Sequence, residues 1–227
     1  MANDRGQAFL FDLDGTLVDS VYQHVLAWQE ALDQTGIELS VWRIHRKIGM
    51  SGGLLTNAIL RETGRDVTQQ DALRLRKLHA KAYAERWRQV RPLPGARELL
   101  ARLTDIGLPW GIATSGYRES SAPVLELLDV PRDRPVITRD AVPRAKPDPD
   151  LFLAAAEALG IDIAESVVVG DSVWDLLAAR RARALGVGVL SGGYGVDELE
   201  RAGAYRVYED PADLLNHLDE LGVRMDD

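Results

Sequence analysis

Residues 8–12, AFLFD, form a short apolar run that ends in an acid and is followed closely by Gly15. A run of this length and character reads as a buried strand. The period then changes. Val21, Val25, Trp28 and Leu32 recur at spacings of three and four, which predicts a helix from about Asp19 to a stop at Gly36. Residues 51–63 and 68–90 continue in the same style, the latter with Leu75, Leu78, Ala82 and Trp87 toward one face. No strand pattern interrupts 19–90, so the segment reads as a small helical bundle whose leucines, alanines and tryptophans are core.

Pro92 and Pro94 mark a boundary, and beyond them the chain alternates. GARELLARLTDIG predicts a helix, LPWGIAT a strand, YRESSAPVLELLD a helix in spite of Pro123, and PVIT a short strand. DPDLFLAAAEALG is a helix ended by Gly160, SVVVG a strand, VWDLLAARRARALG a helix and VGVL a strand. GVDELERAG, YRVY and PADLLNHLDELG give a helix, an edge strand and a last helix. Alternating βα units with apolar strands predict an α/β fold, a Rossmann-like parallel sheet covered by helices on both faces. The expected organisation is a core of residues 1–17 and 91–227, with residues 18–90 inserted as a helical module after the first strand.

Composition narrows the picture. At 227 residues, 46% hydrophobic and 27% charged, the chain is too apolar for disorder. No apolar run approaches the ~20 residues that span a bilayer, and the start, MANDRGQAFLFDLDG, does not read as a signal peptide. Without cysteine there is no disulfide, thiolate nucleophile or thiolate zinc site. A cytoplasmic location is expected. The net charge of −8 argues against nucleic acid as a partner. That charge is uneven: residues 18–90 hold 11 Lys+Arg against 8 Asp+Glu, and the remainder holds 16 against 27. The shift supports a separate module, and its positive balance suits a lid for an anionic substrate as well as a solvated surface.

In open α/β sheets ligands sit at the carboxyl ends of strands, and the chemical side chains lie there. The first strand ends in Asp12-Leu13-Asp14-Gly15-Thr16 and the next core strand in Thr114-Ser115-Gly116. Lys146 follows the third strand in AKPDP, and Gly170-Asp171-Ser172 ends the fourth, with Asp175 a turn later. Two carboxylates two residues apart on an extended segment face the same way. They repel, so one must be neutralised by a cation or take up a proton. Asp171 and Asp175 add two more acids, and an oxygen-only set favours Mg²⁺ over zinc. Thr114 and the N–H groups of Ser115 and Gly116 offer donors to phosphate oxygens. Lys146 offers a counter-charge. Singly, each has a plain structural reading: Asp14-Gly15-Thr16 as a turn, Lys146 as a loop lysine, Ser172 as a helix cap, Asp175 as an acid at a helix start.

The set DLDGT, ATSG, AKPDP and GDSVWD, in that order over nearly the whole chain, resembles the haloacid dehalogenase-like hydrolase superfamily, in its phosphatase and β-phosphoglucomutase-like branch with a helical cap. The resemblance implies an Mg²⁺-dependent phosphohydrolase acting on a small phosphorylated metabolite such as phosphoglycolate or a sugar phosphate. It implies Asp12 as nucleophile through an aspartyl-phosphate, Asp14 as acid and base, and Thr114 and Lys146 on the phosphoryl oxygens. It further implies Asp12, the main-chain carbonyl of Asp14, and Asp171 as metal ligands, supported by Asp175. A β-phosphoglucomutase-like isomerase is the first alternative. A dehalogenase has no use for the metal set, and a non-catalytic phosphate-binding module has no use for the intact acids. Monomer and homodimer both remain open.

Within residues 18–90, DSVYQHVLAW resembles the first cap helix of β-phosphoglucomutase-like members. His24 and Trp28 are four apart and share a helix face. One reading sets His24 beside Asp14; the other packs it on Trp28. Residues 43–53 read as a basic, then glycine-rich loop between cap helices, with Ser51 and Gly52 as candidate substrate contacts. No basic residue follows Ser51, a departure from the sugar-phosphate mutase pattern. Gly192-Gly193-Tyr194-Gly195 reads as a strand-to-helix turn that could edge the site.

Overall fold

The computed structural model describes residues 7–64 and 68–223. Residues 1–6, which bear on the signal-peptide reading, lie outside the described residues, as do 65–67 and 224–227 within the expected modules. The centre is a six-stranded parallel sheet with strand order β5-β4-β1-β6-β7-β8. The strands are β1 (Ala8–Phe11), β4 (Trp110–Ala113), β5 (Val136–Ile137), β6 (Ser166–Gly170), β7 (Leu185–Val189) and β8 (Ala204–Tyr208). β1 lies in the middle, pairing with β4 on one side and β6 on the other. Its alternating side chains serve two cores. Phe9 and Phe11 pack with Leu99, Leu100 and Leu103 of α5 (Ala96–Asp105) and Leu214 of α10 (Pro211–Asn216). Leu10 packs on the other face with Phe152 and Ala155 of α7 (Asp150–Leu159) and Ala178 and Ala179 of α8 (Val173–Ala182). The sheet is thus covered on both faces, as its apolar strands require. Two further helices, α6 (Arg118–Leu127) and α9 (Val196–Ala202), complete the βα alternation.

Between β1 and α5 lie α1 (Val21–Asp33), α2 (Val41–His45), α3 (Gly52–Glu62) and α4 (Gln69–Ala84). Val21, Val25, Trp28, Leu32, Ile44, Ile59 and Leu75 form a hydrophobic cluster distinct from those of the sheet. The chain enters and leaves this bundle through two-residue antiparallel strands, β2 (Val18–Asp19) and β3 (Arg91–Pro92), with Val18 opposite Pro92.

Four expectations need correction. The helix after Asp171 does not run to Gly186. Arg183 takes the left-handed conformation usual for glycine, ending α8 at Ala182, and Leu185 already pairs with Val167 in β7. The helical stretch 68–90 stops at Ala84, giving way to a 3-10 turn at Trp87–Gln89. Residues 43–53 are not one loop: Arg43 to His45 belong to α2, and Gly52 and Gly53 open α3. Asp19 lies in β2 rather than in a helix, because the bundle needs an extended entry paired with its exit.

Candidate active site

The first acid sits just past the central strand, where the Asp12 N–H still donates to Val169 at 2.9 Å. β6 delivers Asp171 beside it, and the first turn of α8 delivers Asp175. One carboxylate oxygen from each of these three buried residues lies within 4.8 Å of the others, a grouping that could hold a metal ion. Asp175 also accepts from the Ser172 N–H at 3.1 Å, so Ser172 is a helix cap and Asp175 completes its capping box. Lys146, fully buried, pairs with Asp12 Oδ1 and, at 2.7 Å, with Asp175 Oδ1. It is not a solvated loop lysine.

Asp14 is turned elsewhere. Its Oδ1 accepts from Ser20 Oγ at 2.6 Å and lies 3.2 Å from His24 Nε2. Its side chain therefore takes no part in the three-acid group. Gly15, at φ 84°, and Gly192 both press on Asp171: a Cβ on Gly15 would lie 2.5 Å from Asp171 Oδ2, and one on Gly192 only 1.8 Å. The 190s turn thus forms a wall of the acidic cluster. Thr16 donates to Asp171 Oδ1 at 3.0 Å. At the end of β4, the Gly116 N–H donates to Thr114 Oγ1 at 2.9 Å, curling this turn toward the same centre.

The charges are crowded. Burial pushes the Asp12 carboxyl up to about 7, with Lys146 opposing and Asp175 and Asp14 adding to the rise. Burial also carries Asp171 well above the carboxylate range, helped by Asp175 and Asp12. Lys146 goes up, because Asp12 and Asp175 outweigh the opposing effect of burial. Asp14 goes down: burial works against this, but His24 and Ser20 prevail.

Helices α1–α4 close the site from above. Ser115 Oγ donates to the Gly49 carbonyl at 3.2 Å, and the Ser51 N–H donates to the Lys146 carbonyl at 3.2 Å. Ser51 stands at the start of α3 without a side-chain cap bond. Gly49 abuts Ser172 and Trp174. A cavity of about 150 Å³ remains, bounded by Asp12, Asp14, Thr114, Ser115 and Gly116 below and by His24, Trp28, Gly52, Arg76, His79 and Tyr83 above. His24 is beside Asp14, but its ring stacks on Tyr83 at 4.0 Å, not on Trp28, which stacks on His79 at 4.2 Å. His79, Tyr83 and Arg76 also line this cavity, and none of them lies in a motif of the sequence. The signal was available for two of them: His79 and Tyr83 stand four apart on α4, as His24 and Trp28 do on α1.

The model of the haloacid dehalogenase-like hydrolase family matches residues 7–183. The chain belongs to that family. It is 34% identical over 201 residues to a phosphoglycolate phosphatase of Neisseria meningitidis, covering 84% of this chain and 83% of that one. It is 32% identical over 180 residues to hexitol phosphatase A of Escherichia coli, covering 78% and 80%. A solved structure of a hydrolase from Pseudomonas syringae superimposes with a TM-score of 0.92 at 57% identity, covering 94% of this chain and 98% of that one. With these relatives and this fold, the protein is a phosphatase of the haloacid dehalogenase-like family.

Proposed function

We propose that the protein is an Mg²⁺-dependent phosphohydrolase that cleaves a small phosphate monoester through an aspartyl-phosphate on Asp12. One observation carries this reading: Asp12 lies in a buried group of three carboxylates balanced by one lysine, with Asp14 held separately by Ser20 and His24. The buried, oxygen-only donor set suits a hard divalent cation. Asp12, Asp171 and the Asp14 carbonyl would hold it, with Asp175 in support. When bound it supplies positive charge to the phosphoryl oxygens and to the crowded acids. A carboxylate oxygen of Asp12 forms the bond to phosphorus as the bond to the leaving oxygen breaks. Asp14 gives that oxygen a proton. It then takes a proton from the water that attacks the phosphorus, releasing phosphate and restoring Asp12. His24 and Ser20 favour the ionised Asp14 at rest, and the arriving phosphate dianion shifts it toward the protonated form. Thr114, Ser115, Gly116 and Lys146 serve the phosphoryl oxygens. Residues 18–90 act as the cap over a core of 1–17 and 91–227, excluding water from the site. A cytoplasmic location belongs to the same proposal; no helix among the described residues is long and apolar enough to cross a membrane.

The cavity favours a short leaving group, since about 150 Å³ is well below the ~300–1,000 Å³ of sites for larger ligands. Arg76 is the one Lys or Arg lining it among the described residues, which favours an acidic leaving group. Phosphate release over a panel of metabolite esters, with and without Mg²⁺, tests the whole proposal. We expect Mg²⁺-dependent release, fastest from short acidic esters such as phosphoglycolate. Arg76→Met should raise KM for those about tenfold and leave neutral esters unchanged, as for loss of one charge-assisted contact. Isomerisation of β-glucose 1-phosphate outrunning phosphate release would replace this reading with the mutase.

Stability should depend on pH and metal together. Burial pushes the Asp12 carboxyl from 3.8 up to about 7, so its stabilising contribution is complete below about 4 and is lost as pH rises through 7. Mg²⁺ replaces the lost proton. In thermal melts, Mg²⁺ should therefore raise Tm more at pH 8 than at pH 5. An equal shift at both would contradict this.

A further inference from the structure

Asp14 is the end of a chain of hydrogen-bonding rings. His24 Nε2 lies 3.2 Å from Asp14 Oδ1, and His24 Nδ1 lies 3.2 Å from His79 Nε2. The rings are clamped. His24 lies nearly parallel to Tyr83, 4° between planes, and His79 lies on Trp28 at 17°. His24 and Trp28 come from α1, His79 and Tyr83 from α4, and each pair is four residues apart, so the two helices interleave their rings.

One donor in this chain follows from its end. An ionised carboxylate only accepts, so His24 Nε2 carries the hydrogen toward Asp14. Whichever ring nitrogen of the pair carries the hydrogen between them, the 3.2 Å contact ties the His24 ring to His79. Burial, with His24 beside it, holds His79 well below the usual histidine range and so keeps it neutral. The stacking on Tyr83 and this contact to His79 together set the plane of the His24 ring.

We propose that His79 is a positioning residue for the phosphatase reaction: by hydrogen-bonding His24 and fixing its ring plane, it holds the Asp14 carboxylate ready to protonate the leaving oxygen. The inference rests on Asp14 being the acid–base group, as set out above.

A general acid matters for a strongly basic leaving group and little for a weakly basic one. An alkyl ester needs the proton; p-nitrophenolate leaves without it. The test therefore compares phosphoglycolate with p-nitrophenyl phosphate, both with Mg²⁺. His79→Phe keeps a ring between Trp28 and Tyr83 and removes the hydrogen-bonding nitrogen. His79→Gln restores a hydrogen-bonding amide and gives up the ring. We expect His79→Phe to lower kcat on phosphoglycolate by roughly 10- to 100-fold, part of what a general acid contributes, with KM little changed. On p-nitrophenyl phosphate its kcat/KM, which reports the phosphorylation step and not the later hydrolysis that also uses Asp14, should stay near wild type. His79→Gln should recover most of the phosphoglycolate activity. If the histidine matters only for packing, the order inverts: Gln falls below Phe, and both substrates suffer alike. That result, or wild-type kcat in His79→Phe, overturns the inference while wild-type activity leaves the phosphatase reading intact. A wild-type protein that releases phosphate from neither ester overturns both.

Discussion

Asp12→Asn is expected to lower Mg²⁺-dependent phosphate release by about a thousandfold or more, on every ester, because the proposed mechanism takes its attacking oxygen from Asp12. Asn has nearly the same shape and a far weaker nucleophile. Two neighbouring causes of inactivity can be separated by a melt. The fold holds Asp12 in a place where its charge is disfavoured, shown by a carboxyl pushed up to about 7. A neutral isostere relieves that crowding. Without metal at pH 8, Asp12→Asn should therefore melt no lower than wild type, and higher if the crowding dominates. Such a pairing of lost turnover with retained stability is the trade expected where a site is built against the preference of the fold. An Asp12→Asn protein with wild-type turnover would remove Asp12 from the chemistry.

Lys146→Met is expected to fail in the opposite manner, in stability as well as turnover. Lys146 is fully buried between Asp12 and Asp175, and the methionine keeps much of its apolar stem while deleting the charge. Three carboxylates then share a dry site with no cation. Breaking a buried ion pair by removing one partner costs about 3–5 kcal/mol, which for a chain of this size lowers Tm by roughly 6–20 °C. Loss of the positive charge proposed to serve the phosphoryl oxygens adds a fall in kcat of about 10²–10³, as for other preorganised electrostatic groups. Mg²⁺ should return part of the lost Tm, and more of it than the same ion adds to wild type. A variant as stable as wild type in the absence of metal would show that the acids are not ionised against Lys146.

The sheet and its acids were legible in the sequence for a physical reason. Strands buried on both faces read as unbroken apolar runs, so AFLF, WGIA and SVVVG stand out, and the polar residues that follow mark the edge where ligands bind. Asp12, Asp171 and Asp175 converge because β1 and β6 are neighbours in the sheet, and Lys146 reaches them from the loop between β5 and α7. Order along the chain does not state that adjacency, but βα alternation confines it. Other features were hidden because no local signal encodes them. The end of α8 depends on Arg183 adopting a glycine-like conformation, which its side chain does not announce. The pairing of β2 with β3 involves two residues on each side, too few for a period. His79 reaches His24 across 55 positions through the packing of α4 on α1, and histidine on a helix has many uses. Gly192 resembles any turn glycine until Asp171 is seen against it. The role of His24 was open between contact with Asp14 and packing in an aromatic cluster; its two ring nitrogens and its flat face serve both.

The central claim is covalent catalysis at Asp12, and the most direct measurement is to catch the intermediate. The enzyme is mixed with a phosphate ester labelled with ³²P in the presence of Mg²⁺, quenched in acid within a single turnover, digested, and its peptides read for label. Label is expected on the peptide containing Asp12, rising and decaying at rates consistent with turnover and absent from Asp12→Asn. Full turnover with the label always in free phosphate or intact ester, or label on any other residue, would contradict it.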